Sequence, residues 1–428
     1  MNETARPVFF NDLDFSTYET SGGYEHMEYN HNVSITTTNI RQNRQGLEAE
    51  LLINAPDYQV KKEALLLHLQ DHRARQNLAL ELAVTGTEPL PWDKILEYVA
   101  SETIRRYRSL SNIYDIGAEP ESLSIEYAIQ DILPLNLPTT MYSPGGRGKS
   151  ILAEFIAVIY EYGIIPEPLP IAPRMGHVLY LDWESDYEIH RKYIRAIKIG
   201  LGLTEHREIA YLSCTNPLTA IIESVRQTVY EKDIELVIID SQMAATAGAP
   251  QGLSEAQLAS EYYNCLHSLK CTTLTIDHVS KEGMKSQDGS NSPYGSVVKY
   301  NRARSIYEIR THQEAESDHM ELALIHQKFN LGRKQKPLGI AIDFENAGGE
   351  LWSIKFSQCD LADNPVLNKA LPCKERIFKY LLESGAMTTE NISSELEIDQ
   401  DTTRVTLNRN KKMFVKIGDE WGVLKHEA

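Results

Sequence analysis

The strongest constraint on the fold of this chain is an alternation of short apolar runs with helical patterns, which begins near Glu119. The runs, each typical of a buried strand, cover residues 139–142, 178–182, 209–212, 236–240 and 272–277. The helical patterns between them cover residues 150–162, 188–200, 217–231 and 255–269. Because strands joined by helical crossovers lie parallel, the alternation predicts an α/β fold with a mostly parallel sheet and helices on both faces.

The sequence on either side of the alternation has a different pattern, so residues 119–357 are predicted to form a core domain between two smaller domains. Runs at 305–310, 320–327 and 338–343 follow one another without long helices and predict an antiparallel extension of the sheet. Residues 1–118 predict a small α+β accessory domain. Its predicted parts are a loose arm over 1–30, a hairpin over 32–55 and helices over 65–82 and 92–110.

The C-terminal end predicts a winged helix-turn-helix domain over residues 373–428, after a linker at 358–372. Helical patterns cover 374–384, 389–396 and 402–413, with Thr388 and either Asp399 or Asp401 as N-caps, and a β-wing is predicted over 414–424. Basic residues, and no acid, follow one another along the last helix and the start of the wing: Arg404, Arg409, Lys411, Lys412 and Lys416. The cluster is compatible with phosphate contacts to DNA, and equally with the solvated face of a protein-docking domain.

Composition excludes several classes of protein. A chain of 428 residues is too long for a single small binding module, and its net charge of −17 argues against a surface coated in nucleic acid or anionic lipid. The cysteines are scattered without the spacing of a zinc site. The longest apolar stretch, 151–165, is interrupted by Glu154 and Glu161 and is too short to span a bilayer, and the N-terminus lacks a secretory signal. A soluble, cytoplasmic protein without a membrane partner is therefore predicted.

The most specific motif is the glycine-rich loop Ser143-Pro-Gly-Gly-Arg-Gly-Lys-Ser150, which joins the first strand of the alternation to the helix after it. Backbone N–H groups of such a loop can form an anion nest at a helix N-terminus, which a polyphosphate requires. Lys149 would reach the β- and γ-phosphates, and Ser150 would ligate Mg²⁺. Ser143 stands where the usual motif has glycine, but three glycines keep the loop permissive. The predicted nucleotide-binding residues of the loop are Gly145, Gly146, Arg147, Gly148, Lys149, Ser150 and Ile151.

Two predicted strands that end in acids provide candidate site residues at the sheet edge where ligands of open α/β sheets bind. Asp240 ends the run at 236–240 and is predicted to hold Mg²⁺ together with Ser150. Glu184 lies just past the run at 178–182 and is predicted to orient the water that attacks the γ-phosphate. Asp182 and Asp186 are rival candidates for the same role.

These motifs, followed by Thr275-Ile-Asp-His-Val-Ser-Lys281 and by Gly295-Ser296, form an ordered set. Over roughly residues 120–345 the set resembles the RecA-fold ATPases of the RepA-like hexameric helicase group, relatives of the DnaB-type replicative helicases. The resemblance implies ATP as the nucleotide and a γ-phosphate-sensing role for His278, whose alternative is a histidine hydrogen-bonded in the core. It also implies a homo-oligomeric ring, a hexamer, in which Lys328 or Arg333 reaches into the neighbouring subunit's site. Tyr294 stands where the group has an arginine.

The segments that would face the channel of such a ring are polar and lightly basic, and their candidate DNA contacts are Lys281, Lys285 and Lys299. The predicted function is Mg²⁺-dependent ATP hydrolysis coupled to DNA, single-stranded rather than duplex at the core, by a helicase or loader of a mobile element. The alternative is a nucleotide-gated switch or scaffold ATPase whose C-terminal domain docks a protein partner or duplex DNA.

Overall fold

The computed structural model describes residues 13–20, 23–43, 46–87, 90–108, 117, 124–248, 253–279 and 297–424. These residues divide into two units, one holding those before residue 124 together with 220–232, and the other holding the remainder. In the described part of the chain, no helix is long and apolar enough to cross a membrane.

The N-terminal unit contains an antiparallel sheet covered by helices. Its elements in chain order are β1 (Phe15–Glu19), β2 (Gly23–Glu28), β3 (Val33–Asn43), β4 (Gly46–Ala55), β5 (Val60–His68), α1 (His72–Thr85) and α2 (Trp92–Arg108). The strands pair in the order β1-β2-β3-β4-β5, and the predicted hairpin is the β3–β4 pair. Alternate residues of β4, from Leu47 to Ala55, are buried in one core with Trp92 and Ile95 of α2. This pattern is that of a half-buried strand.

The loose arm predicted over residues 1–30 is wrong for its described part, because β1 and β2 form a strand pair there. The buried face of this pair carries polar side chains, so the sequence shows no apolar period. Thr17 Oγ1 and His26 Nδ1 are 3.0 Å apart, and His26 Nε2 lies 3.0 Å from Thr103 Oγ1 on α2. Residues 1–12 lie outside the described part of the chain.

The helix predicted over 65–82 begins later than expected, at His72. Leu65, Leu66 and Leu67 belong instead to β5, where they pair with β4. The side chain of Asp71 accepts hydrogen bonds from the backbone N–H groups of Arg73 and Ala74 and so fixes the start of α1.

A nine-stranded sheet organises the larger unit and confirms the predicted α/β class with a mostly parallel sheet. The elements between residues 127 and 358 are β6 (Tyr127–Ile129), β7 (Leu133–Pro134), β8 (Pro138–Ser143), α3 (Lys149–Tyr162), β9 (His177–Asp182), α4 (Tyr187–Gly200), β10 (Ala210–Ser213), α5 (Leu218–Glu231), β11 (Ile234–Asp240), α6 (Gln242–Thr246), α7 (Glu255–Leu269), β12 (Thr272–His278), α8 (Val297–Arg302), β13 (Ser305–His312), β14 (His319–Phe329), β15 (Leu338–Ala347) and β16 (Glu350–Gln358). Of these, α5 belongs to the N-terminal unit from residue 220 onward. The strand order is β10-β9-β11-β12-β8-β13-β14-β15-β16.

Neighbouring strands from β10 to β13 run parallel, and β14, β15 and β16 add the predicted antiparallel extension. The parallel register brings the strand ends of the motifs to one edge: Asp240 lies opposite Asp182, and His278 lies opposite Ser143. The unpredicted strand β16 covers α3, where the Phe155 and Phe356 rings stack with centroids 3.9 Å apart. Apart from Ser150 and Ile151, every residue of α3 is buried.

The residues predicted to form a linker, 358–372, pack against the sheet, with Leu361 and Leu367 buried beside Ala323. The elements that follow are α9 (Cys373–Ser384), β17 (Met387–Thr388), α10 (Thr389–Leu396), α11 (Gln400–Arg409), β18 (Phe414–Ile417) and β19 (Glu420–Val423). The predicted N-caps Thr388 and Asp399 are confirmed, because their side chains accept hydrogen bonds from the first turns of α10 and α11. The short strands pair in the order β17-β19-β18.

Candidate functional site

The glycine-rich loop lies where the sequence places it, between the end of β8 and the start of α3. Gly146 and Gly148 have φ of +67° and +70°, a left-handed conformation that favours glycine. A Cβ on Gly145 or Gly146 would meet nothing within 4 Å, whereas one on Gly148 would lie 3.1 Å from the sulfur of Met320. The loop therefore has open space on the side of its two central glycines, as a bound phosphate chain would need.

Lys149, the first residue of α3, is 6% exposed and turns its ammonium back into the loop. Its Nζ donates hydrogen bonds to the backbone oxygens of Ser143 at 3.0 Å and Pro144 at 2.8 Å. Burial lowers the pKa of Lys149, and the carboxylates of Asp240, Glu184 and Asp277 oppose that shift. The lysine is thus held in the loop by carbonyl groups that a phosphate could replace, because both are acceptors for the same ammonium.

Asp240 is 4% exposed at the end of β11, and burial raises the pKa of its carboxyl group. It accepts hydrogen bonds from the Tyr180 hydroxyl, at 2.9 Å, and from the Ser150 hydroxyl. A carboxylate beside a hydroxyl suits Mg²⁺, which usually keeps several waters and binds to few protein groups. The described residues contain no group of three or more His, Cys, Asp or Glu side chains that could hold a metal ion.

Glu184 lies beyond the end of β9, with 35% of its side chain exposed. Ser241 donates a hydrogen bond to its Oε1, and His278 Nε2 lies 3.2 Å from the same atom. The hydrogen bond from His278, assisted by that from Ser241, lowers the pKa of Glu184 against the effect of burial. The side chain is therefore ionised at neutral pH and faces the same strand ends as Asp240.

The two rival acids have structural partners. Asp182 accepts hydrogen bonds from the backbone N–H groups of Glu184 at 3.0 Å and Ser185 at 3.1 Å. Asp186 caps α4 by accepting from the N–H of Glu188 at 3.1 Å. His278, at the end of β12, keeps 24% of its side chain exposed, so it is not enclosed in the core. This geometry favours Glu184 as the acid next to the loop.

Sequence reasoning missed a buried cluster behind the site. His190 of α4 lies between two carboxylates: its Nδ1 is 2.6 Å from Glu154 Oε1 on α3, and its Nε2 is 3.1 Å from Asp182 Oδ2. The Tyr211 hydroxyl of β10 donates to the same Asp182 oxygen at 2.8 Å. The signal in the sequence is a pair of acids, Glu154 and Glu161, inside a largely apolar helix, and it does not indicate which partner either acid has.

The pKa values of the cluster follow from burial and from these contacts. Burial acts to lower the pKa of His190, but its two carboxylate partners outweigh burial and raise it to about 9. Burial raises the pKa of Glu154 to about 7, although His190 opposes the shift. Burial also acts to raise the pKa of Asp182, but hydrogen bonds from His190, Tyr211 and two backbone N–H groups lower it to about 2. A protonated His190 between these acids is the state the surroundings favour at neutral pH.

Of the predicted core DNA contacts, Lys299 is the one that lies in the described part of the chain. Lys281 and Lys285 lie outside the described residues. Lys299 is buried, and its Nζ lies 3.2 Å from Asp277 Oδ2, next to His278. Since its charge is neutralised inside the fold, Lys299 is not placed to contact a nucleic-acid strand.

The two candidates for a residue that acts on the neighbouring subunit differ in their surroundings. Lys328 Nζ donates to the backbone oxygens of Asn301 at 3.0 Å and Ala303 at 2.8 Å, at the C-terminal end of α8. Its ammonium also lies 5.1 Å from the ring centroid of Tyr300. Arg333 is exposed in the turn after β14. Only the surroundings of Arg333 leave the side chain available to another subunit.

The predicted basic residues of the C-terminal end are all on the surface. Arg404, Arg409, Lys411 and Lys412 are exposed on α11 and on the turn that follows it. Arg404 also pairs with Asp401 on its own helix, with Nη2 2.8 Å from the carboxylate. These positions are compatible with an anionic partner.

Comparisons with known proteins bear on the core. Residues 106–284 match a protein-family model described as an AAA domain. No curated protein matches the chain. Among solved structures, the chain is similar to a KaiC-like protein from the hyperthermophilic archaeon Pyrococcus horikoshii OT3, at 14% identity and a TM-score of 0.36, over 54% of this chain and 93% of that one. The family match and the phosphate loop between β8 and α3 together support a P-loop ATPase with an α/β core.

Proposed function

We propose that this chain is a Mg²⁺-dependent ATPase whose hydrolysis is coupled to DNA in a homo-oligomeric ring, as in a helicase or loader of a mobile element. The observation that carries the ATPase part is the convergence of Lys149, Asp240, Glu184 and His278 at one edge of the sheet. Phosphoryl transfer needs positioning and charge stabilisation more than covalent chemistry, and this set supplies both.

Each residue has a definite task in the proposed reaction. Lys149 would exchange the carbonyl groups of its own loop for the β- and γ-phosphate oxygens, and the N–H groups of residues 145–151 would line the phosphates. Ser150 and Asp240 would hold Mg²⁺, which when bound offsets charge on the phosphates. Glu184 would orient the attacking water, because it is ionised and half-exposed beside the loop.

His278 connects two parts of the site in this proposal. It ends the strand next to the loop strand, with Ser143 as its register partner, and its Nε2 contacts Glu184. A histidine in this position would respond to the γ-phosphate on one side and to the water-orienting acid on the other. Loss of the γ-phosphate would therefore change the surroundings of Glu184 through the side chain of His278.

The coupling to DNA rests on the resemblance to RepA-like helicases and on the exposed basic residues of the C-terminal elements. The succession of α9, β17, α10, α11 and the β18–β19 hairpin supports the proposal that residues 373–428 form a winged helix-turn-helix domain. Arg409, Lys411 and Lys412 follow one another at the end of α11 and could contact phosphates. We propose a hexamer in which Arg333 completes the neighbouring subunit's site.

A second candidate function is favoured by the burial of Lys299. With this lysine paired to Asp277, the described core offers less positive charge to a single strand than the sequence predicts. The chain would then be a nucleotide-gated switch, whose C-terminal basic residues dock duplex DNA or a protein. Slow hydrolysis without stimulation by single-stranded DNA is the behaviour expected of such a switch.

The ATPase rate with and without single-stranded DNA, at about 50 mM and about 200 mM salt, separates the two functions. The DNA-coupled ATPase predicts stimulation that weakens with salt, and a smaller stimulation when Arg409, Lys411 and Lys412 are all changed to Ala. A matched control changes Lys61, Lys62 and Lys94 of the N-terminal unit. Hydrolysis that DNA leaves unchanged at both salt concentrations refutes the coupling and supports the switch.

A further inference from the structure

The buried cluster behind the site joins α3 to the end of β9. The proposed reaction requires a fixed distance between these two segments. Glu154 lies in the second turn of α3, the helix that begins with Lys149. Asp182 ends β9, directly before the segment that carries Glu184. His190 contacts both carboxylates, at 2.6 Å and 3.1 Å, and is 3% exposed.

Asp182 connects His190 to the backbone of Glu184 and thereby fixes the position of Glu184. One of its oxygens accepts the backbone N–H groups of Glu184 and Ser185, and the other faces His190 and the Tyr211 hydroxyl. The turn after β9 is therefore tied to a carboxylate that cannot rotate without breaking its bonds to the neighbouring elements. A group held in this way keeps the geometry that a positioned water needs.

We propose that His190 is a positioning residue that fixes Glu184 relative to the phosphate loop by bridging Glu154 of α3 and Asp182 of β9. The inference rests on the proposed ATPase function and deepens it, since it names what sets the distance between the loop and the water-orienting acid. In the described part of the chain, the hydrogen bonds of His190 are those to Glu154 and Asp182, and none joins it to the phosphate loop or to Glu184.

The charges in the cluster support a bridge rather than general packing. Two buried carboxylates without a cation would repel each other and would each lack solvation. An imidazolium donates from both ring nitrogens, so it can satisfy one oxygen on each side at once. Among the described residues, Glu154 Oε2 has no hydrogen-bond partner, so this carboxylate is held by the contact of its Oε1 with His190.

The same helix and strand provide a matched control at the opposite end of the sheet. Glu161 of α3 is 3% exposed, and its Oε1 lies 3.0 Å from His177 Nδ1. Its other oxygen accepts the N–H of Val178 at 2.9 Å. This pair also joins α3 to β9, but at the start of the strand rather than at its end near the phosphate loop.

The experiment uses variants of the full chain and measures three properties of each. These are kcat for ATP hydrolysis, the dissociation constant and stoichiometry of binding for a mant-labelled ADP, and the midpoint of thermal unfolding. His190→Gln removes the bridge, and Glu154→Leu removes one of its ends while filling the space with an apolar side chain. Glu154→Gln keeps an acceptor for His190 and is the conservative variant. His177→Gln is the control at the far end of the sheet.

The bridge predicts that His190→Gln and Glu154→Leu lower kcat about 10-fold or more while nucleotide affinity stays within about 3-fold. Glu154→Gln and His177→Gln should keep kcat within about 3-fold of the wild type. A role in folding alone predicts that Glu154→Leu is neutral or stabilising with normal turnover.

Two results overturn the inference: normal kcat in folded Glu154→Leu, or a loss of kcat that follows a loss of nucleotide-binding sites in proportion. A failure of the proposed function gives a different result, because it appears in the wild-type protein itself and does not require a variant. A wild-type chain that binds nucleotide and does not hydrolyse it refutes the ATPase, and this inference with it.

Discussion

Raising the pH through the titration of His190 perturbs one buried group with known surroundings. Glu154 and Asp182 face its two nitrogens, and the rings of Tyr180 and Tyr211 lie 4.9 Å and 5.5 Å from its own. Burial raises the pKa of both tyrosines, so they stay neutral while His190 titrates. The pKa of His190, which its two carboxylates raise against burial, is about 9.

The size of the effect follows from the difference between this pKa and the ordinary value of 6.5. The difference between about 9 and 6.5, at about 1.4 kcal/mol for each pH unit, corresponds to about 3 kcal/mol of unfolding free energy. Because the folded-state pKa of His190 is raised, its contribution is complete below about pH 6.5 and is lost as the pH rises through about 9. The raised pKa of Glu154, about 7, acts in the same direction between about pH 4.5 and 7.

Two measurements test this reasoning on the wild type and on His190→Gln. Carbon-13 histidine resonances, titrated from pH 5 to 10, should include one with a midpoint near pH 9 that is missing from the variant. Urea unfolding at about pH 6 and about pH 9.5 should show a destabilisation by His190→Gln that is larger at the lower pH, by about 3 kcal/mol. Equal destabilisation at the two pH values, or a His190 midpoint at or below 6.5, would refute the charged bridge.

Three further substitutions test the site and its surroundings. Lys149→Ala should abolish hydrolysis and weaken nucleotide binding about 10-fold or more, because the loop loses the ammonium that reaches the phosphates; normal turnover would place the site elsewhere. Glu184→Gln should keep nucleotide affinity within about 3-fold and lower kcat about 100-fold or more, and an unchanged rate would assign the water to another group. Lys299→Met should lower the unfolding free energy by about 3–5 kcal/mol by leaving Asp277 unpaired, whereas the double change with Asp277→Asn should restore most of it; additive losses in urea unfolding would contradict the pair.

The part of the site that the sequence predicted consists of residues at the ends of local elements. The phosphate loop, Asp240 and Glu184 each follow an apolar run, so a strand end can be located without knowing what lies beside it. Parallel strands then bring those ends to one edge, and this is a property of the fold class rather than of any single residue. Because each element of the core has its own local pattern of apolar residues, the predicted bounds of these strands and helices lie close to the observed ones.

The parts that the sequence missed depend on contacts between distant residues. His190 has no local signal, because its partners are on another helix and at the end of a strand. Thr17 and His26 lie on the buried face of β1 and β2. Because these side chains are polar, the two strands show no alternation of apolar residues in the sequence. The sequence predicts a DNA contact for Lys299 because its segment would face the channel of a ring, and the pairing with Asp277 inside the fold has no signal in that segment.

Subunit mixing separates a basic residue that acts within its own chain from one that acts on a neighbour. Lys328 is bound to carbonyl groups at the end of α8 in its own chain, whereas Arg333 is exposed. We therefore expect both Lys328→Ala and Arg333→Ala to lower the ATPase rate of a uniform ring, for different reasons. The first would loosen α8 beside the Asp277–Lys299 pair, and the second would leave the neighbouring site incomplete.

Mixing each variant with an equal amount of Lys149→Ala subunits distinguishes the two causes. In a random ring, about a quarter of the sites combine an intact loop with an intact Arg333 from the next subunit, so Arg333→Ala mixtures should regain about a quarter of the wild-type rate. Lys328→Ala mixtures should regain none, because a defect inside a chain is not repaired by its neighbour. Recovery in the Lys328→Ala mixture and none in the Arg333→Ala mixture would mean that Lys328 leaves α8 to act across the interface. Recovery in neither mixture would show that each site is complete within one chain.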